Sequence, residues 1–351
     1  MTDNKDSISK IAKSRLSLQQ ILDKNETKSG DIKKLLLPKV EGNVEVLPKG
    51  NAAKQIIDET TVSKNDKAIP DIIAGRYKIE RILGVGGMAI VYKAYDNLAA
   101  HFKHPFPYVA LKMFKEEFAG YTDASYLLFS EYALLQALNH PHIIKTYQFD
   151  MDKEYKRVFM TLELLKGSTL DQWLMENPLG GDFKKIKPML IELIDTISYS
   201  HQHHIIHGDL KPSNIMLTQA GCILFDYGLG QAVIGELTSL PKISRKRFNA
   251  WTPKYAAPEL LEDIDLTMKT DVFAVCCIIY ELLTGKNPYY IDKKTKYSLK
   301  PIKPVSLPKK VWRALACGLS VNPEQRTISA EEIKEALQVK SFSFFRLAKL
   351  R

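Results

Sequence analysis

The sequence has little that would place it in or across a membrane. Its longest unbroken apolar run, VFAVCCIIY at 272–280, is nine residues, against the roughly 20 that a helix needs to span a bilayer. The opening stretch MTDNKDSISK has no apolar core, which is not the pattern of a secretory signal. Cysteine is scarce: Cys222, Cys276, Cys277 and Cys317 are the only four. None forms a C-x-x-C pair and no His/Cys cluster has zinc spacing, so neither a disulfide framework nor a zinc module is expected. The adjacent Cys276 and Cys277 sit inside the apolar run and read as small buried hydrophobes. A reducing cytoplasm is the expected setting. No internal repeat is present.

Aromatic residues are missing altogether from residues 1–70, which are rich in Lys, Asp, Asn, Ser and Thr. Such a segment buries too little apolar surface to offset the entropy of ordering, and a disordered leader is expected. Ile8, Ile11, Leu18 and Ile21 fall near helical spacing within it, so a docking helix is the alternative. The whole chain has 351 residues, 45% hydrophobic and 26% charged, with a net charge of +10. That is a soluble globular composition with room for a sizeable core. The positive charge favours acidic partners without naming one, and no stretch has the form of a nucleic-acid-binding module.

From Tyr77 the texture changes. YKIERILG, AIVYKAYD, PYVALKMF and RVFMTLELL read as strands, with ASYLLFSEYALLQAL as a helix among them. After GSTLDQWL the apolar spacing turns mostly helical, in IKPMLIELIDTISYSHQHH, KTDVFAVCCIIYELLTG, KKVWRALACGLS and SAEEIKEALQVK. Strands first and helices later predict an α+β chain of two lobes with a cleft between them.

The chemistry-bearing residues follow in a fixed order. Gly84, Gly86 and Gly87 in LGVGGMAIVYKA let a strand-turn-strand backbone lie close over phosphates. Lys112 ends VALK on a following strand, where it can hold α- and β-phosphates. Glu131 on the next helix can fix its direction. Singly, these read as a glycine hairpin, a solvated strand lysine and a surface carboxylate. HGDLKPSN then supplies Asp209 to orient a hydroxyl and accept its proton, Lys211 to neutralise a transferring phosphoryl group, and Asn214 to bind a metal. Asp226 in ILFDYGLG follows an apolar strand and aims at the same metal. Together these suit phosphoryl transfer, in which catalysis is mostly positioning and charge stabilisation.

On these motifs the chain resembles eukaryotic-type serine/threonine protein kinases, and GVGGMAIVYKA is similar to the loop of their bacterial members. The resemblance implies a kinase domain at 77–338, with a β-rich small lobe at 77–165 and a helical lobe at 166–338. A basic, aromatic tail follows at 339–351. It implies ATP as substrate, Mg²⁺ or Mn²⁺ as metal, protein substrates and autophosphorylation. Leu83, Val91 and Ala110 would join the glycines around the nucleotide, with Leu162 as gatekeeper and the backbone of Glu163 and Leu165 as adenine hinge. Thr252 would reach Asp209 and Lys211, Glu259 would pair with Arg326, and Asp271 would hold the His207 loop. Leu135, His207 and Tyr227 fall on the family's packed spine.

Several positions depart from the family pattern. Ala89 stands for a third glycine, Tyr227 for phenylalanine, Trp251 for glycine and Gly208 for arginine, and DNLAAHFKHPFPY lengthens a hairpin. HGD is also the spelling of small-molecule kinases similar to aminoglycoside or choline phosphotransferases. Those generally lack the TPKYAAPE segment present here, and the DLKPSN form points to Ser/Thr. A non-catalytic scaffold is the rival of a different class, although such chains usually lose Lys112, Asp209 or Asp226. Two basic stretches, 241–254 and 285–310, read either as solvated loops or as a platform for acidic substrates. The tail reads either as packed on the helical lobe or as weakly bound to an anionic membrane surface.

Overall fold

The computed structural model describes residues 71–119, 122–241, 254–261, 265–289 and 301–338. The chain divides into two units, 1–69 and 70–351, and every described residue belongs to the second. Expectations for the leader, Trp251, Thr252, most of the first basic stretch, the middle of the second and the tail lie outside the described residues.

The first part of this unit is a six-stranded sheet in the order β1-β2-β3-β4-β6-β5. Its strands are β1 (Ile72–Ile73), β2 (Tyr77–Val85), β3 (Ala89–Asp96), β4 (Tyr108–Phe114), β5 (Thr146–Asp152) and β6 (Arg157–Leu162). All neighbours run antiparallel. Period-two alternation sorts the side chains of β4. Val109, Leu111 and Met113 pack on one face, which leaves Ala110 and Lys112 on the other. The register sets Val91 opposite Lys112 and Leu162 opposite Ala110, so these four share that face.

The lengthened β3–β4 connection contains a short helix, α1 (Asn97–His101). Asp96 caps it, accepting from the Leu98 and Ala99 N–H groups at 3.0 and 3.1 Å. The same carboxylate takes Arg76 in a two-pronged pair. Helix α2 (Glu116–Ala119) precedes the longer α3 (Thr122–Gln136). In α3 the buried residues Leu127, Leu128, Glu131, Leu134 and Leu135 follow helical spacing, so Glu131 lies on the apolar stripe.

The helical part holds α4 (Leu170–Glu176), α5 (Phe183–Gln202), α6 (Pro258–Leu261), α7 (Met268–Thr284), α8 (Lys309–Gly318) and α9 (Ala330–Gln338). Helix α7 is buried on every side from Thr270 to Leu283 and forms the axis of this core, with Cys276 and Cys277 inside it as expected. It stops at Gly285, whose N–H bonds to Glu281 O at 2.7 Å. Among the described residues no helix is long and apolar enough to cross a membrane.

The sequence pattern shows one of the short strands embedded here, the apolar one before Asp226, and misses the others. β7 (Ser168–Thr169), β9 (Ile215–Thr218) and β10 (Gly221–Leu224) form one small sheet, and β8 (Ile205–Ile206) pairs with β11 (Gln231–Ala232). Runs of two to four residues carry no readable period, and their pairing is set by partners far along the chain. They matter because both loops of the candidate site hang from them.

Candidate active site

Three charged side chains from three elements converge. Lys112 Nζ on β4 lies 2.7 Å from each carboxylate oxygen of Glu131 on α3 and 2.7 Å from Asp226 Oδ1 after β10. Burial works against the Lys112 charge, but Asp226 and Glu131 outweigh it and hold its pKa above the ordinary value. Burial alone would also raise Asp226; Lys112 overcomes it and takes that carboxyl down to about 2. For Glu131 burial prevails over Lys112 and pushes the carboxyl up to about 7. A lysine with two carboxylate partners is thus fixed in direction and charge.

The HGDLKPSN loop follows β8. Its backbone is held from α7: Asp271 accepts the His207 N–H at 2.8 Å and the Gly208 N–H at 2.9 Å. His201 on α5 lies 3.1 Å from the same carboxylate. His207 is fully buried, with Nε2 3.1 Å from Phe225 O and Nδ1 accepting the Asp209 N–H at 3.2 Å. A carbonyl can only accept, so Nε2 carries the proton. Burial lowers the His207 pKa and keeps the ring neutral.

Asp209 Oδ2 takes Lys211 Nζ at 2.5 Å. Burial raises the Asp209 pKa against the pull of Lys211, which suits a carboxylate that receives a proton. Asn214 donates Nδ2 to Asp209 O at 2.9 Å. That bond turns the amide so that its oxygen is left over. The Asn214 amide oxygen and the second oxygen of Asp226 are hard ligands of the kind Mg²⁺ takes.

Gly208 occupies the left-handed region at φ +81°. A Cβ there would lie 2.5 Å from Leu229 O and 3.0 Å from a Leu266 methyl. The glycine thus answers both a conformational and a spatial constraint, in addition to leaving no arginine for a phosphate to meet. Gly228 approaches closely for a related reason, since its added Cβ would lie 3.3 Å from both Asp226 Oδ1 and Glu131 Oε2.

The fit to a nucleotide can be tested on the glycine loop. Gly84 and Gly87 have no left-handed φ, and a Cβ at either would meet nothing within 4 Å. Neither backbone conformation nor protein packing asks for glycine at these two positions; a close-lying phosphate would. The Val91–Ala110–Leu162 face supplies an apolar wall beside Lys112. At Glu163 the N–H is taken by Lys145 O at 2.9 Å. Among the described residues, the Glu163 carbonyl and the Leu165 N–H have no partner, which leaves an acceptor and a donor for a purine edge. The residues present fit ATP with a divalent metal. Leu83 sits partly exposed at the entrance to the glycine turn.

The structural pairs also come together. Arg326 is completely buried and binds Glu259 at 2.6 Å, the carbonyl of Ser320 through two nitrogens, and Lys269 O at 2.9 Å. Its guanidinium also lies over the Phe273 ring at 4.7 Å. Leu135 and Tyr227 are both buried, and the Tyr227 ring packs on His207 with centroids 4.5 Å apart.

Lys254, counted with the basic stretch, is paired instead. Its Nζ lies 2.6 Å from Glu281 Oε1, while the Tyr255 hydroxyl donates to Glu281 Oε2 at 2.6 Å. Sequence reasoning passed over Glu281, His201 and Ser200, which all support the site from behind. Each reads as an ordinary polar residue on a helix. The one available signal is that Ser200 and His201 continue the apolar stripe of Leu193, Ile194 and Ile197.

The model of the family described as protein kinase domain matches residues 77–337. The chain belongs to the protein kinase domain family. It is 29% identical over 283 residues to the serine/threonine-protein kinase PkaA of Streptomyces coelicolor, covering 76% of this chain and 50% of that one. It is 28% identical over 242 residues to the serine/threonine-protein kinase PrkC of Bacillus subtilis, covering 68% of this chain and 35% of the relative. The chain thus spans half the length of these curated relatives or less. The kinase domain of Mycobacterium tuberculosis PknI, solved as a point mutant, superposes with a TM-score of 0.55. It shares 22% identity over 77% of this chain and 98% of that one, a likeness of fold.

Proposed function

We propose that the protein is a serine/threonine protein kinase that transfers the γ-phosphoryl group of Mg·ATP to hydroxyls of protein substrates. The observation that carries this reading is the Lys112–Glu131–Asp226 cluster, assembled with all contacts at 2.7 Å beside the Asp209 loop. Lys112 holds the α- and β-phosphates, with Glu131 fixing its direction. Asp209 orients the attacking hydroxyl and receives its proton. An oxygen–phosphorus bond forms to that hydroxyl, the β–γ bridging bond breaks, and ADP leaves. Lys211 balances charge on the moving phosphoryl group. When bound, the metal neutralises phosphate charge, and Asn214 and Asp226 are the residues that would hold it.

The same reading includes activity without phosphorylation of the activation segment, because Gly208 offers no guanidinium for a phosphate to order. It also includes autophosphorylation, a preference for acidic substrates and a cytoplasmic location, consistent with cysteines that are all unpaired. The test is incubation with labelled ATP and Mg²⁺ followed by phosphosite mapping, with Asp209→Asn as control. Phosphoserine or phosphothreonine from wild type alone supports the reading. ATP-dependent thermal stabilisation with no phosphate on any protein would make the chain a nucleotide-binding scaffold.

A further inference from the structure

Asp226 has a positive φ of 67°. For a residue with a Cβ this conformation is disfavoured and persists only where its surroundings hold it. Before Asp226, Phe225 is fixed at both backbone groups: its N–H donates to Asn214 O at 3.0 Å and its carbonyl lies 3.1 Å from His207 Nε2. On the far side the Tyr227 carbonyl takes the nearby Gly230 N–H at 2.9 Å, and the link to another element is a side chain. Tyr227 is fully buried, and its hydroxyl lies 2.7 Å from Ser200 Oγ on α5.

The direction of that bond follows from the proton count. Ser200 Oγ lies 3.1 Å from Thr196 O, and a carbonyl can only accept. The single Ser200 proton therefore goes to Thr196, and Tyr227 must donate to Ser200. A phenylalanine at 227 would fill the same seat and make no such bond. The tyrosine is thus pinned at its far end to a helix that also carries His201, the partner of Asp271. Both loops of the site hang on one turn of α5.

We propose that the Tyr227–Ser200 hydrogen bond is a positioning device that holds Asp226 in its metal-facing conformation and so sets the affinity for metal-bound nucleotide. Tyr227 and Ser200 are positioning residues, since neither touches the reacting atoms. The inference rests on the kinase reading for its link to metal, but the lock itself does not. Losing one buried neutral hydrogen bond shifts a two-state balance roughly two- to tenfold.

Two measurements on the full chain test it, with Tyr227→Phe, Ser200→Ala and the double variant. The first is amide hydrogen exchange without ligand. Exchange across 225–230 should rise several-fold in each single variant and no further in the double, while α7 amides stay unchanged. Unaltered exchange in Tyr227→Phe, or effects that add in the double variant, overturns the lock whatever the protein's activity. The second is binding of a fluorescent ADP across a Mg²⁺ titration. The midpoint in Mg²⁺ should rise about two- to tenfold, while affinity for nucleotide without metal stays at the wild-type value. A general loss of stability would weaken both alike. A wild-type Mg²⁺ midpoint alongside faster exchange overturns the link to metal. A wild-type protein that binds no nucleotide at all refutes the kinase reading and leaves the exchange result to decide the lock.

Discussion

Lys112 and Asp226 are 114 residues apart in the chain and 2.7 Å apart in space, on either side of the site. Glu131 occupies the remaining face of the same ammonium group. Removing Lys112 leaves the buried Glu131 carboxylate facing the partly exposed one of Asp226 with no cation between them. Lys112→Ala should weaken ATP binding and cut turnover by a factor on the order of 100 or more. Nucleotide titration and initial rates check this. Wild-type rates in the variant would show that the cluster is structural only.

Asp209→Asn keeps the size of the side chain and removes the carboxylate proposed to accept the proton. Turnover should fall by about 10²–10⁴ with ATP affinity and melting temperature nearly unchanged. A variant that fails through KM instead would move Asp209 from chemistry to binding.

Arg326→Ala strands the buried Glu259 carboxylate and also removes three bonds to backbone carbonyls. The loss should be about 3–5 kcal/mol, or on the order of 10 °C in melting temperature for a domain of this size. Arg313, exposed on α8, is the comparison: Arg313→Ala should shift melting by no more than about 1 °C. Equal shifts would deny the pair its structural weight.

Asp271 gives a pH dependence with a definite sign. Burial disfavours its charge, but the His201 bond, the neighbouring His207 and the Gly208 N–H together pull its pKa below the ordinary carboxylate value. A depressed carboxylate contributes stability that is complete above the unfolded pKa of about 4 and is lost as pH falls through the folded value. Urea unfolding of wild type and Asp271→Asn should therefore show a constant gap from pH 7 to about 5, closing below about 4. A gap that widens in acid would contradict the assignment.

Gly208 carries a prediction about regulation and one about the backbone. Thr238→Ala, Ser239→Ala and Ser244→Ala combined should leave most activity, and phosphatase-treated wild type should match it. A hundredfold loss on dephosphorylation, regained by autophosphorylation, would establish a loop switch despite the glycine. Gly208→Ala forces a Cβ into the left-handed region against Leu229 O. It should cost about 1–2 kcal/mol or more by chemical denaturation.

The sequence alone determined the order of the candidate site residues. Gly84, Lys112, Glu131, Asp209, Asn214 and Asp226 stand out because residue type and sequential distance carry the roles proposed for them. The longer helices and most of the longer strands were equally legible, since their apolar residues repeat at two or at three to four positions; β5, with only Asp152 buried, showed no such repeat. Glu131, which taken singly reads as a surface carboxylate, lies on the buried stripe of α3 instead.

Only the tertiary structure decided what stands behind those residues. Ser200 meets Tyr227 across 27 positions, and His201 meets Asp271 across 70. A single hydroxyl or imidazole on a helix has no local pattern that names so distant a partner. The short strands β7, β8, β9 and β11 are too brief for any period to show and exist because their partners arrive from elsewhere. Lys254 looked like one more cation in a basic stretch until folding set Glu281 against it. Hydrophobic spacing is a local property and survives in the sequence; a polar pairing is a property of two segments, and it is fixed only when packing brings them together and excludes water.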